Sequence, residues 1–193
     1  WGGPHARRRT AQAPQHSRAL REARVEYVRG GVSTMPAAAD AEQLRARLDK
    51  AFDCIVFHAN GAGGKALEAI GDSGMVSAII DVTTTEVADP LMGGICSAGP
   101  ERFDVLARTG IPWIGSCGAL DMVNFGPRET VPERYADRQF FVHNANITLM
   151  RTTPDENAEM ARWLAAKLNS SPGPVDLVLP LGGVSALDAP GEA

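Results

Sequence analysis

The sequence has few cysteines and no long hydrophobic segment. These two features argue against a disulfide-rich protein and against a membrane-spanning protein. Its three cysteines, Cys54, Cys96 and Cys117, are far apart and form no Cys-x-x-Cys pair. They therefore indicate neither a disulfide framework nor a zinc cluster, and they favour a reducing, cytoplasmic location. No apolar stretch approaches the roughly 20 residues that cross a bilayer, which argues against a membrane role.

Charge is distributed unevenly along the 193 residues, whose formal net charge is −4. Residues 1–30 hold seven arginines against two glutamates, so the acidic character belongs to the rest of the chain. Residues 1–24 also lack interleaved aromatics and clear periodicity, which predicts a disordered or non-native leader rather than a nucleic-acid-binding arm. Residues 25–193 suit one domain with a single core.

Short apolar runs alternate with helix-like segments along this domain. The alternation predicts an α/β fold, Rossmann-like and doubly wound, with a mostly parallel sheet and helices on both faces. Two weaker runs, Val25–Val32 and Phe140–His143, are predicted as edge strands. The clearest predicted strands are Asp53–His58, Val76–Val82, Ile111–Ser116 and Val175–Leu179. The predicted helices are Ala37–Lys50, Gly64–Asp72, Glu101–Arg108 and Pro154–Leu168, the last with a capping-box start at Thr153.

Two segments depart from the alternation. Phe125–Arg138 contains two prolines and dense charge, so it is predicted to be a long loop, and such loops often carry function. The sequence also ends where a helix should follow the strand at Val175, which predicts a domain that is incomplete at its C-terminal end.

Glycine-rich segments follow the predicted strands, where an open parallel sheet binds its ligands. Glycine lets a ligand reach backbone amides, and a following helix N-terminus favours phosphate or carboxylate. The segment after the first predicted strand, His58–Lys65, matches neither the G-x-G-x-x-G motif of dinucleotide-binding proteins nor a P-loop. Tight turns without a chemical role are the alternative interpretation. The post-strand segments are His58–Lys65, Asp81–Glu86, Gly115–Asp121 and Gly182–Ser185.

Several polar residues in these segments are candidates for chemistry. Thr83 to Glu86 could bind phosphate oxygens, sugar hydroxyls or, indirectly, Mg²⁺, although a plain helix cap explains them equally well. Asp81 ends an apolar strand, where a carboxylate is costly unless it is paired or solvated in a cleft. His58 and His143 follow apolar runs and are candidate acids or bases, but a structural role is more frequent for such histidines.

Cys117 lies in a Gly-Ser-Cys-Gly segment that resembles a nucleophile turn. The segment is not G-x-S-x-G, and no third catalytic group can be nominated for it. The sequence therefore does not favour a hydrolase triad.

Five motifs resemble the second half of a family of uncharacterised proteins that includes the tomato mosaic virus resistance protein. They are FHANGAGGKALE, DVTTTEVAD, GIPWIGSCGALDMVNFG, HNANITLMRTT and LPLGGVSALDAPG, in that order. The resemblance covers about residues 31–193 and implies the second α/β domain of a two-domain, often dimeric protein with an ATP-binding domain of the resistance-protein type.

The resemblance implies a set of ligand-facing residues but no transferable catalytic residue. Cys117 occupies a position where the family has valine-like residues, which argues against a required nucleophile. The implied ligand-binding positions are His58, Asn60, Gly61, Gly63, Gly64, Thr83, Thr84, Thr85, Glu86, Ser116, Gly118, Gly182, Gly183 and Ser185.

Three functions stay open on the sequence. The first is a domain that binds a nucleotide such as ATP, with Mg²⁺, or another phosphate-bearing ligand. The second is an enzyme of small molecules in which His58 or His143 acts as acid or base beside Asp81 or Glu86. The third is a protein-interaction module that docks a partner through Pro127–Arg138. A homo-oligomer is expected, and neither nucleic acid nor membrane is an expected partner.

Overall fold

The computed structural model describes residues 28–29 and 55–188. The predicted helix Ala37–Lys50, the leader 1–24 and the first residues of the predicted strand Asp53–His58 lie outside these ranges. The described helices are α1 (Gly61–Asp72), α2 (Ala88–Met92), α3 (Asp104–Thr109) and α4 (Pro154–Asn169). The strands are β1 (Val28–Arg29), β2 (Ile79–Thr83), β3 (Trp113–Gly118), β4 (Met122–Phe125), β5 (Phe140–Asn144), β6 (Ile147–Arg151) and β7 (Val175–Val178).

Four strands form a parallel sheet in the order β1-β7-β3-β2, as an α/β fold requires. Ile79 of β2 pairs with Trp113 of β3, and Trp113 pairs with Val175 of β7. The other three strands form an antiparallel sheet in the order β4-β6-β5. The fold is therefore α/β with a parallel sheet, to which a small antiparallel sheet is added between β3 and α4.

One face of the parallel sheet, here called the helix face, carries the core. The Phe103 ring contacts the rings of both Trp113 and Trp163, at centroid distances of 5.9 and 6.0 Å, and so joins β3 to α4. Gly71 of α1 lies against Val105 of α3, and α3 in turn packs on α4. Within the described part of the chain, α1, α3 and α4 thus lie side by side on this face. The described helices do not show the predicted coverage of both faces.

Local signals explain where the helices begin. The Thr153 side chain accepts a hydrogen bond from the Glu156 amide, and the Glu156 side chain accepts one from the Thr153 amide at 2.7 Å. This capping box confirms the predicted start of α4 at Pro154. In α1 the Asn60 side chain accepts from the amide of Gly63 at 2.8 Å, so α1 begins at Gly61, three residues earlier than predicted.

Two predicted strands need correction. Residues 55–58 of the predicted strand Asp53–His58 pair with no described strand, and Ile55 and Val56 are exposed rather than buried in a sheet. The Asn60 amide then donates to the His58 carbonyl at 2.8 Å, where the chain turns into α1. The strand at Phe140 exists, but it belongs to the antiparallel sheet, because a tight turn after Asn144 pairs it with β6. An apolar run alone does not specify which sheet it joins.

The predicted loop Phe125–Arg138 is folded onto the domain. It starts with the last residue of β4 and contains two short 3₁₀ turns. The Tyr135 hydroxyl donates to the Met92 carbonyl at 3.0 Å, and Arg138 binds the Glu156 carboxylate at 2.7 Å. Among the described residues, no helix has both the length and the hydropathy needed to cross a membrane.

Candidate functional site

The post-strand segments named in the sequence lie next to one another at the carboxyl edge of the parallel sheet. The Thr84 amide donates to the Gly118 carbonyl at 3.0 Å, which joins the segment after β2 to the end of β3. The Ala119 amide donates to the Val184 carbonyl at 2.8 Å, which joins β3 to the segment after β7. Gly64 of α1 lies against the Glu86 side chain. All four segments therefore contribute to one edge.

The glycines at the start of α1 allow close packing of backbone on backbone. A side chain at Gly61 would overlap the carbonyls of Cys96 and Ser97, and one at Gly63 would overlap the His58 carbonyl. Because these spaces are already filled, the glycines are needed for packing whether or not a ligand binds. The solvent-exposed residues of this first turn are Ala62 and Lys65.

The hydroxyl groups after β2 and in β3 bind backbone atoms of the neighbouring strand. The buried Thr84 hydroxyl donates to the Ser116 carbonyl at 3.0 Å. The Ser116 hydroxyl donates to the Val82 carbonyl and accepts from the Gly118 amide at 3.2 Å. A side chain at Gly118 would overlap that same Val82 carbonyl. These predicted site residues do come together, but their polar groups hold β2 to β3.

Arg102 is the centre of a buried ionic cluster that the sequence did not reveal. Its guanidinium binds Asp81, the Glu86 carboxylate at 2.9 Å and the Glu68 carboxylate at 3.2 Å. Only 3% of the Arg102 side chain and 2% of Glu86 are exposed. Asp81 thus has the partner that its position at the end of an apolar strand demanded.

The Arg102 cluster connects the candidate edge to the helices. Glu68 lies in α1 and also accepts from the amides of Phe103 and Val105, at 2.7 and 2.9 Å, at the start of α3. Burial raises the pKa of Glu86, and Arg102 partly opposes that rise. The Glu86 Oε2 atom has no hydrogen-bond partner among the described residues. The cluster therefore fixes α1 and α3 against β2 and leaves one buried acceptor unused.

A second buried carboxylate, Asp89, has no basic partner among its hydrogen bonds. It is fully buried and accepts from the amides of Cys96 and Asn124, at 2.7 and 2.8 Å, and from the Asn124 side chain. Burial raises the pKa of Asp89 to about 6. Asp89 thereby attaches the 93–96 loop, which leads to Ser97 beside α1, to β4.

A third buried carboxylate, Asp121, follows β3. It binds Arg151 and accepts from the Ser185 hydroxyl at 2.7 Å, and Arg151 also binds Asp188 at 2.8 Å. The Asp121 Oδ1 atom has no hydrogen-bond partner within residues 28–29 and 55–188, and burial raises the pKa of Asp121. Ser185, a predicted site residue, thus lies in an ionic group that joins the ends of β3, β6 and β7.

Within the described residues, no hydrogen bond or ion pair joins His58 or His143 to Asp81 or Glu86. His58 is exposed just before α1, whereas His143 is exposed in β5, an outer strand of the antiparallel sheet. Asp81 and Glu86 are occupied by Arg102. Cys117 is fully buried, and burial raises the pKa of its thiol to about 12, which does not suit a nucleophile. Gly182 is exposed beside the partly buried Gly183.

Two further observations concern possible ligands. Within the described ranges no group of three His, Cys, Asp or Glu side chains is arranged to hold a metal ion. A cavity of about 80 Å³ is bordered by residues of the antiparallel sheet and by one residue that follows β7. None of the predicted site residues lines it. The lining residues are Met122, Gln139, Phe140, Phe141, Leu149, Arg151 and Leu187.

Known proteins with similar sequences cover most of this chain. A UPF0261 protein of Rhizobium meliloti is 52% identical over 163 residues, which are 84% of this chain and 40% of that protein. The ToMV resistance protein Tm-1(GCR237) of Solanum lycopersicum is 44% identical over 162 residues, 84% of this chain and 21% of that protein. The ToMV susceptible protein tm-1(GCR26) of the same species is 43% identical over 162 residues, again 21% of its length.

The chain thus spans 40% or less of the length of these relatives. Residues 30–193 match the C-terminal domain of an uncharacterised protein family, UPF0261. This match confirms the resemblance seen in the five motifs. The chain belongs to the UPF0261 family, through its C-terminal domain.

Proposed function

We propose that this domain binds a nucleotide, or another small phosphate-bearing ligand, at the carboxyl edge of its parallel sheet. The observation that carries the proposal is the contact between all four post-strand segments at that edge. Parallel α/β sheets bind their ligands at such edges. His58 before α1, Ala62 and Lys65 in its first turn, and Gly182 after β7 are exposed and are among the parts of the segments that a ligand can reach.

The charges at the edge favour a phosphate that arrives with a cation. Asp89 is buried without a basic partner among its hydrogen bonds, and Arg102 is shared among three carboxylates. A bare phosphate would meet this excess of negative charge, whereas Mg²⁺ on the nucleotide would offset it. Since no described cluster could hold the metal alone, we expect Mg²⁺ to enter with the nucleotide.

Thermal unfolding with different ligands tests the proposal. At 100 times the dissociation constant, a bound ligand stabilises the native state by about 2.7 kcal/mol. We expect Mg-ATP to raise the Tm, ATP with EDTA to raise it less, and adenosine to leave it unchanged. Equal Tm values with all three ligands would exclude the proposed site.

The variant Ala62→Glu separates ligand binding from stability. A glutamate at the start of α1 favours the helix by roughly 0.3–1 kcal/mol, because it faces the positive end of the helix dipole. The same carboxylate would repel a phosphate, so we expect the variant to keep its Tm and lose the Mg-ATP response. Ala69→Glu adds the same charge at the exposed far end of α1 and serves as the matched control. If Mg-ATP raises the Tm of Ala62→Glu as much as that of the wild type, the ligand does not bind at the start of α1.

A further inference from the structure

The antiparallel sheet ends in β5, whose outer edge pairs with no other strand of the described residues. The far end of the hairpin formed by β5 and β6 is open to solvent, since residues 141–146 are all exposed. Phe141 and Val142 alternate to opposite faces of the sheet, and they are 48% and 58% exposed. Both faces of β5 therefore carry exposed apolar side chains beside an edge that has no described partner.

The hydrogen bonds of β5 show which of its main-chain groups point outward. The Arg151 amide donates to the Gln139 carbonyl at 2.9 Å, so the carbonyl of Gln139 points towards β6. In an antiparallel pair this orientation alternates from residue to residue, so the N–H and C=O groups of Phe140 and Val142 point away from β6. These two residues thus offer donors and acceptors to a further strand.

β5 lacks the residues that usually keep an exposed edge strand from pairing. Natural edge strands carry charged residues, particularly lysine, or proline. The strand Phe140–Asn144 contains no lysine, arginine, aspartate, glutamate or proline. The register shift in its pairing with β6 lies between Val142 and Asn144, so residues 140–142 keep regular strand pairing. The regular part of the outer edge is therefore suited to accept another strand.

We propose that β5 pairs with β5 of a second copy of this chain, antiparallel and two-fold symmetric about Phe141. The outward main-chain groups of Phe140 and Val142 then form about four hydrogen bonds with those of the second copy. The two three-stranded sheets become one continuous sheet. The sequence led us to expect a homo-oligomer but indicated no contact surface for it. This inference does not depend on the proposed nucleotide site.

The side chains of β5 are complementary to themselves in this register. Phe141 lies directly opposite its own counterpart, and cross-strand aromatic pairs stabilise a sheet. Phe140 lies opposite Val142 of the second copy, and because a two-fold contact is isologous this apolar pair occurs twice. The nearest charged residues, Asp137 and Arg138, precede the strand and so lie at opposite ends in the two copies. Like charges are thus kept apart, and the uncharged edge favours a second copy over a charged peptide.

Single cysteines in the full chain test this register. In a background of Cys54→Ser and Cys96→Ser, we expect Phe141→Cys to form a disulfide-linked dimer under mild oxidation. Val142→Cys is the matched control, because it is as exposed but lies ~8 Å from its counterpart in this register, too far for a disulfide. Non-reducing gels should give at least a tenfold higher yield for Phe141→Cys. Equal yields would show that the chains meet by random collision and would overturn the proposal.

The variant Val142→Pro tests the main-chain hydrogen bonds without cysteines. The Val142 N–H points away from β6, so proline removes an outward donor and leaves the hairpin intact. Val142→Thr keeps that donor and is the matched control. In sedimentation equilibrium of the full chain, we expect the wild type and Val142→Thr to dimerise, and Val142→Pro to raise the dissociation constant of the dimer at least tenfold.

Two results of the sedimentation measurements would also overturn the proposal. One is a wild type that stays monomeric at concentrations up to about 100 µM. The other is a Val142→Pro variant that dimerises as tightly as the wild type, which would place the contact on another surface. If Val142→Pro does not fold, the yields of the two cysteine variants still decide.

Discussion

Arg102 and Asp89 lie in the same part of the fold and are both buried, but their charges are compensated in different ways. Arg102 has three carboxylate partners from α1, β2 and the turn after β2. Asp89 has only N–H donors around it, from Cys96 and Asn124. Burial alone would lower the Arg102 pKa, but Asp81 and Glu86 outweigh it and raise that pKa, so the guanidinium stays charged. Burial instead raises the pKa of the Asp89 carboxyl to about 6.

The two buried groups therefore respond differently to pH, because Arg102 keeps its charge whereas Asp89 can gain or lose a proton. The Arg102 cluster holds α1, α3 and β2 together around a guanidinium that stays charged. Asp89 holds the loop beside α1 through hydrogen bonds to a carboxyl group that changes charge near pH 6. Asp89 is therefore expected to make stability depend on pH between about 4 and 6.

The largest expected effect comes from removing the central cation. Arg102→Met would leave Asp81, Glu86 and Glu68 together in a buried site without a positive charge. Breaking a buried ion pair in this manner costs about 3–5 kcal/mol. Urea unfolding of the variant should show this loss, and a loss below about 1 kcal/mol would mean that the cluster is not a structural centre.

The next effect is a pH dependence that belongs to Asp89. The folded protein keeps the Asp89 proton up to a pH of about 6, whereas the unfolded chain releases it near the ordinary value of 3.8. The free energy of unfolding should therefore fall as the pH rises from about 4 to about 6, by at most about 3 kcal/mol, and then stay level.

The variant Asp89→Asn isolates this contribution from other carboxyl groups with raised pKa values, such as Glu86 and Asp121. The amide cannot ionise, so unfolding free energies of wild type and variant, measured at several pH values, should differ most steeply between pH 4 and 6. Parallel curves would show that Asp89 does not titrate in this range.

The smallest effect is expected from an ion pair of similar geometry at the surface. Arg108 binds Asp72 at 2.6 Å, but 47% of the Arg108 side chain is exposed. Because water screens such a pair, Arg108→Met should cost between about 0 and 1 kcal/mol. The same urea measurements compare it directly with Arg102→Met, and a cost as large as that of Arg102→Met would show that burial does not explain the difference.

The sequence predicted the elements whose signals are local. β2, β3 and β7 lie within a few residues of their predicted places, because their apolar runs are bounded by turn residues. α4 begins at Pro154 as predicted, because the capping box lies entirely within Thr153–Glu156. The position of Asp81 at the end of an apolar strand also predicted that its carboxylate has a partner. The sequence could not identify Arg102 as that partner, because the residues of the cluster meet only through long-range packing.

The role of the glycines could not be read from the sequence. Gly63 and Gly118 lie in glycine-rich segments of the kind that bind phosphate through backbone amides. In the structure, however, Gly63 packs against the His58 carbonyl and Gly118 packs against the Val82 carbonyl. A phosphate-binding loop and a close contact between two backbone segments both require glycine, so only the three-dimensional contacts distinguish the two roles. The apolar run at 55–58 was misleading as well, because apolar residues alone do not specify a strand partner.

The tight backbone contacts at Gly61, Gly63 and Gly118 also limit how this edge can be altered by evolution or by design. Any side chain added there must displace a neighbouring carbonyl, so these positions could not adjust the selectivity of the proposed nucleotide site. Adjustment of the proposed site is left to solvent-exposed positions, among them Ala62, Lys65 and Gly182. A library that randomises those three codons should therefore yield many folded clones with diverse preferences, whereas one built on the three glycines should yield few that fold.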